Sequence, residues 1–133
     1  MEYNAFGTLT VSTFAADSAL PIPNALVRVY GIDEENRGVE YSSLTDINGK
    51  SRLFILPAPK KEYSLEPAAP EKPYASYDVY VEKENYIRKI LRDVAVFEGI
   101  TTALIVNMIP SNNSADLTDL NRESSSAENP NLE

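Results

Sequence analysis

The stretch Thr45–Pro59, TDINGKSRLFILPAP, decides the fold. Asp46, Asn48 and Gly49 tolerate the left-handed backbone that a tight hairpin needs. SRLFIL then runs back as a short apolar strand. Pro57 and Pro59 stop it, because a proline has no N–H to give to a ladder. A hairpin cut off this abruptly predicts the edge of a small β-sandwich, where the chain leaves one sheet for the other.

Strands are predicted on both sides of it. In GTLTVSTF, Leu9 and Val11 alternate with Thr8, Thr10 and Ser12, a period of two with β-branched residues. LPIPNA carries Pro21 and Pro23 and is expected to be a connection. ALVRVYGI puts Ala25, Val27 and Val29 on one face and Leu26, Arg28, Tyr30 and Ile32 on the other. The loop DEENRG leads into VEYSSLT. Residues Ala58 to Pro73 form a proline-, lysine- and glutamate-rich surface connection, long enough to carry function. In YASYDVYVEKENY, Ala75, Tyr77, Val79 and Val81 share the core face, and Tyr74, Asp78 and Tyr80 the other. IRKILRDVAVF is ambiguous. Ile87, Ile90, Leu91 and Val94 match helical spacing, whereas Val94, Val96 and Phe97 favour strand. Two extended pieces are expected because every neighbour is β, with a short helix over 86–97 as the alternative. GITTALIVNMIP alternates Thr102, Leu104, Val106 and Met108 with Ala103, Ile105 and Asn107. About seven or eight short strands at regular spacing predict an all-β fold, a single antiparallel sandwich.

The chain has 133 residues and a formal charge of −8. From Ser111 onward it becomes rich in Ser, Asn and acids, without aromatic residues or apolar periodicity. Residues 1–110 are therefore read as the sandwich and 111–133 as a disordered acidic tail. Neither part is basic, so nucleic acid and anionic membrane are poor partners. There is no cysteine and no histidine, which excludes disulfides, thiolate metal sites and a Ser–His–Asp triad. The start, MEYNAFGTLTVSTF, shows no basic region followed by an apolar stretch. No signal peptide is expected, and the sequence alone places the chain in the cytoplasm. No segment approaches the roughly 20 apolar residues that cross a bilayer, so no membrane insertion is expected.

The motifs G-x-L-x-V at Gly7–Val11, PIPNALVRVY and LTDINGKSRLFILPAP together resemble the carboxypeptidase regulatory-like domain, a transthyretin-like (prealbumin-like) β-sandwich. The second half, PYASYDVYVEKENY through VAVFEGITTALIVNMIP, is similar to a variant associated with spore-cortex-lytic and peptidoglycan-binding proteins of Gram-positive bacteria. The resemblance spans Gly7 to Pro110. It rests on turn and core signatures, which specify a fold more than a function. In that variant the domain usually sits beside a catalytic or wall-binding domain, and this sequence shows none.

Enzymes on related sandwiches depend on residues missing here. Hydroxyisourate hydrolase needs histidines, and intradiol dioxygenases bind iron through Tyr and His. A Lys–Asn isopeptide crosslink would pair Asn107 with a first-strand lysine, and Gly7–Phe14 has no lysine. Asp46–Gly49 has the D-x-N-G pattern of a calcium loop, but Ser51–Pro59 holds no acid to complete six to eight oxygen ligands. No catalytic residue, metal or cofactor is expected. The tyrosines stand out: eight in all, four of them between Tyr74 and Tyr86. Tyr30, Tyr74 and Tyr80 face outward by parity and are the candidate ligand-binding residues, suited to sugar stacking or protein contact. The ordinary alternative is cross-strand packing. The expected function is a non-catalytic accessory or binding module. The resemblance implies peptidoglycan, or a wall or spore protein, as partner. A protein–protein scaffold assembling through its sheet edge, without glycan affinity, is the rival, and a small hydrolase with an unrecognised site is the third reading.

Overall fold

The apolar alternation resolves into eight strands in a computed structural model, which describes residues 2–61 and 72–111. They are β1 (Ala5–Ala15), β2 (Leu20–Pro21), β3 (Leu26–Gly31), β4 (Glu40–Leu44), β5 (Phe54–Ala58), β6 (Ala75–Glu82), β7 (Lys89–Val96) and β8 (Thr101–Asn107). A single 3-10 turn, Glu34–Asn36, joins β3 to β4. Most of the Ala58–Pro73 connection and all but the first residue of the acidic tail lie outside the described residues.

The strands form two sheets packed face to face. One has the order β4-β3-β6-β7, antiparallel throughout. The other is built around β1, which pairs with β5 and β2 along one side and β8 along the other. The expected all-β sandwich is present, with one refinement: β1 and β8 run parallel, Thr8 beside Thr101 through Phe14 beside Asn107. Local alternation carries no information about the direction of a partner almost a hundred residues away.

The opening stretch corrects the hairpin reading. β4 belongs to one sheet and β5 to the other, so Thr45–Leu53 is an arch between sheets. Its turn chemistry is as expected. Asp46 Oδ1 accepts the N–H groups of Asn48 (2.9 Å) and Lys50 (3.0 Å), which commits the aspartate to capping the turn. Gly49 has φ +80°, and a Cβ there would lie 2.5 Å from the Thr13 carbonyl oxygen. The same turn can therefore close a hairpin or an arch.

The prolines are also placed differently. Pro57 lies inside β5, opposite Phe6, and Pro21 inside β2, opposite Phe14. The carbonyls of Phe6 and Phe14 turn the other way, accepting from Gly99 (3.0 Å) and Met108 (2.7 Å). Each proline nitrogen thus faces the open edge, where no ladder bond is lost. The chain does leave for the other sheet after β5, as its abrupt end predicts.

The core follows the predicted faces. Leu9, Val11, Val27, Val29, Phe54, Leu56, Tyr77, Val79, Val81 and Val96 are fully buried. Each Val, Leu or Phe in such a position contributes roughly 1.5–3 kcal/mol. The Tyr77 hydroxyl donates to the Pro57 carbonyl at 2.6 Å, tying the two sheets together through the core.

The 86–97 segment is a strand with a bulge. Tyr77 pairs with Val94 and Val79 with Leu91, so Asp78 faces two residues, Arg92 and Asp93. Asp93 takes φ 57° to allow this. Asp78 is buried there, accepting from Arg92 (3.1 Å) and from the Asp93 N–H (3.0 Å).

Candidate functional site

The outer face of β4-β3-β6-β7 carries the charge and the aromatic residues. Register sets the contacts: Arg28 of β3 lies opposite Tyr80 of β6, Tyr30 opposite Asp78, and Leu26 opposite Glu82. Tyr30 and Tyr80 are therefore diagonal neighbours. Their rings meet edge to face, centroids 5.4 Å apart and planes at 88°. Arg28 donates to Glu82 (2.7 Å) and to the Tyr30 hydroxyl (3.3 Å). Arg88 approaches Glu82 from the other side (3.5 Å) and lies 5.8 Å from the Tyr80 ring centre. The hydrogen bond from Arg28 holds the Glu82 carboxyl below the usual carboxylate range, with Arg88 adding to it. The same bond, followed by that to Tyr30, raises the Arg28 pKa further.

Beside this cluster is an open cleft of about 450 Å³ lined by Asn24, Leu26, Glu82, Lys83, Tyr86 and Arg88. Glu82 and Arg88 belong to both, so aromatic rings, two guanidinium groups, a carboxylate and a concave floor form one continuous surface. Such a surface can stack on the apolar face of a sugar ring and pair with carboxylate and amine groups beside it.

Of the three tyrosines predicted to bind ligand, Tyr30 and Tyr80 come together and Tyr74 does not. Tyr74 precedes β6, about 20 Å from Tyr80 along the strand. It packs on Phe97 with centroids 5.5 Å apart, and the Lys72 ammonium lies 5.0 Å from its ring centre. All three are half-buried. Sequence reasoning missed Arg28, Glu82, Arg88 and Tyr86. The signal available was that Arg28 and Tyr30 share a face two residues apart; the register against β6 was needed to join them to Glu82.

A second polar cluster closes the other end of this face. Asp33 accepts from the Tyr3 hydroxyl (2.7 Å), the Lys72 ammonium (2.7 Å) and the Ser76 N–H (2.8 Å). Asn36 bridges Asp33 N–H and the Ser76 carbonyl. Burial pushes the Asp33 carboxyl up, but the bonds from Lys72, Tyr3 and Ser76 outweigh it and hold it below its ordinary value. Lys72 also donates to the Ser76 hydroxyl, an arrangement that would resemble a Ser–Lys catalytic pair. Ser76 is only 1% exposed and Lys72 is ion-paired to Asp33, so the cluster is built as a staple for the start of β6.

No protein-family model matches the chain, and no curated protein does. Solved structures do share its fold. The Bacillus anthracis TIE protein superposes with a TM-score of 0.54 at 15% identity, over 80% of this chain and 17% of that one. The 3-chlorocatechol 1,2-dioxygenase of Rhodococcus opacus gives 0.54 at 13% identity, over 82% and 62%. Wild-type catechol 1,2-dioxygenase of Acinetobacter radioresistens gives 0.55 at 11%, over 93% and 58%. The chain thus spans less than two thirds of the length of each. At these identities the likeness is one of fold, the all-β sandwich. The histidines of a Tyr–His iron site are absent from the whole sequence. Among the described residues no group of three or more acids is placed to hold a metal, and no helix is long and apolar enough to cross a membrane.

Proposed function

We propose that this chain is a non-catalytic binding module of the carboxypeptidase regulatory-like type, recognising peptidoglycan or a protein of the wall or spore cortex through the outer face of β3, β6 and β7. The observation that carries the reading is the edge-to-face Tyr30–Tyr80 pair lying beside a cleft with which its Arg28–Glu82–Arg88 network is continuous. Peptidoglycan presents sugar rings beside short peptides bearing carboxylates and amines. The rings suit the tyrosines, and the peptide charges suit Arg28, Arg88 and Glu82. The motif resemblance supports the same partner. A binding role without catalysis is supported by the commitment of Asp33, Lys72 and Ser76 to one another, and of Asp78 to Arg92 and the Asp93 N–H, which leaves none of them poised as base or nucleophile.

Co-sedimentation of the full chain with insoluble peptidoglycan tests this reading, wild type beside a folded Tyr30→Ala/Tyr80→Ala variant. Wild type in the pellet and the variant in the supernatant are expected. Both proteins remaining in the supernatant would remove glycan binding and leave the rival, a scaffold joined through its sheet edge. The support for that rival is β8, TTALIVN, which has no charge and no proline. Its even-numbered residues bond to β1, so the backbone groups of Thr101, Ala103, Ile105 and Asn107 point to the open side.

A further inference from the structure

The arch between the sheets holds the single Asn–Gly pair of the chain, Asn48–Gly49. Asparagine is a chemically labile residue, and a glycine after it leaves the next backbone nitrogen unshielded by a Cβ. The two residues have opposite surroundings. Asn48 is exposed, and among the described residues its side-chain amide has no hydrogen-bond partner, whereas Gly49 is buried. The Gly49 N–H donates to the Asp46 carbonyl at 2.8 Å. The Gly49 carbonyl accepts the Thr13 N–H (2.8 Å) and the Thr13 hydroxyl (3.2 Å). Both backbone groups of Gly49 are thus tied down, while the amide carbon one residue earlier stands in solvent.

We infer that Asn48 is a site of spontaneous backbone modification, gated by opening of the arch. The Gly49 nitrogen gives its proton to a solvent base and attacks Cγ of Asn48. The new N–Cγ bond closes a cyclic imide, and the side-chain nitrogen leaves as ammonia. Water then opens the ring at either carbonyl. One product is an aspartate at this position. The other is an isoaspartate, in which the chain runs through the former side chain and gains a backbone carbon. The sum is a water taken up and an ammonia released, with no oxidation or reduction.

The closed arch blocks the first step. The Gly49 proton is held by the Asp46 carbonyl and out of reach of solvent, and the bonds from Thr13 keep the nitrogen from swinging towards Cγ. Opening must come first, so the rate follows the population in which this segment is locally open. The isoaspartate product does not close again. Asp46 Oδ1 holds the N–H groups of residue 48 (2.9 Å) and Lys50 (3.0 Å), and the added carbon lies between them. It also pushes Gly49 from a seat where even a Cβ would meet the Thr13 carbonyl oxygen at 2.5 Å. Each opening therefore carries a chance of unlatching the arch for good.

Incubation of the full chain in mildly alkaline buffer, folded and in urea, tests this by peptide mapping. Trypsin releases Gly38–Lys50 whole. The mass and fragment ions of that peptide report deamidation at Asn48 and distinguish the isoaspartate. The folded chain should form isoaspartate at least about tenfold more slowly than the unfolded chain. Thr13→Val removes the hydroxyl bond to Gly49; it should speed the reaction of the folded chain at least about threefold and leave the unfolded rate unchanged. The isoaspartate form, separated by its added charge, should have a lower thermal midpoint than wild type. Asn48→Asp, with the same charge and no added carbon, should keep the wild-type midpoint. Equal rates in the folded and unfolded wild type would overturn the inference. So would a Thr13→Val rate equal to that of wild type, including the case in which both stay unmodified long after the unfolded chain has converted. An isoaspartate form as stable as Asn48→Asp would overturn it as well. Should Thr13→Val fail to fold, a urea series below the unfolding midpoint decides, since the rate in the folded chain must rise with urea. The readouts are mass and stability, so they do not depend on whether the chain binds peptidoglycan.

Discussion

Thr13 and Thr45 donate to the same acceptor, the Ile22 carbonyl oxygen, each at 2.8 Å. Thr13 is in the middle sheet strand β1 and Thr45 starts the arch to β5, so one buried oxygen joins the two sheets and the segment between them. Thr45 Oγ1 also accepts the Ala25 N–H at 2.9 Å.

Replacing Thr45 by Val keeps the shape and removes both bonds. The Ala25 N–H is then buried without a partner, at a cost of about 1–3 kcal/mol. Chemical denaturation should show a lower midpoint at unchanged slope. A loss under about 0.5 kcal/mol would mean that the arch does not depend on this node.

Gly49→Ala should be worse. Its positive φ and its 2.5 Å approach to the Thr13 carbonyl both oppose a Cβ. A destabilisation of at least about 2 kcal/mol is expected, seen as a fall in thermal midpoint. Gly38→Ala, also at positive φ but with open space around it, should cost clearly less.

Much of this was legible in the sequence. The core faces of β3 and β6 follow from period two, and Val27, Val29, Tyr77, Val79 and Val81 are all buried as expected. What misled was whatever depends on distant partners. Asp46–Gly49 makes the same turn whether the next strand pairs with the last one or crosses to the other sheet. The bulge at Asp93 inserts one residue, so the inward residues step from Leu91 to Val94, which reproduces helical spacing within a strand. At the site, parity placed Tyr30 and Tyr80 outward, but their contact depends on the β3–β6 register, and Tyr74 shares their parity without their company.

Asp33 should make the fold acid-sensitive. Its pKa is lowered on folding, so the stability it contributes is complete above the unfolded carboxylate value of about 3.9 and is lost as pH falls through the lower folded value. Asp33→Asn should flatten the stability profile below about pH 4 relative to wild type. An unchanged acid limb would show that other carboxylates set it.

Tyr3 and Tyr77 are pushed up, first by burial, and for Tyr3 also by the bond to Asp33. Raised values favour the protonated folded state, so their contribution is intact below pH 10 and declines above it, where the unfolded chain would ionise. Spectrophotometric titration should show two tyrosines ionising only as the fold is lost. Full titration near pH 10 with native circular dichroism would contradict this.

Tyr30 and Tyr80 should be coupled energetically. A double-mutant cycle to alanine should give about 0.5–1.5 kcal/mol for the pair. Tyr74 and Tyr80 should be additive within about 0.5 kcal/mol. Coupling of similar size in both cycles would place the three rings on one surface and contradict the register.

The most direct measurement is a titration of the uniformly ¹⁵N-labelled full chain with soluble disaccharide-peptide fragments of peptidoglycan, followed by amide shifts. The account predicts saturable shifts confined to Leu26–Tyr30, Tyr80–Glu82 and Tyr86–Ile90, abolished in Tyr30→Ala/Tyr80→Ala. Shifts centred on β1, β5 and β8, or none at millimolar ligand, would contradict it.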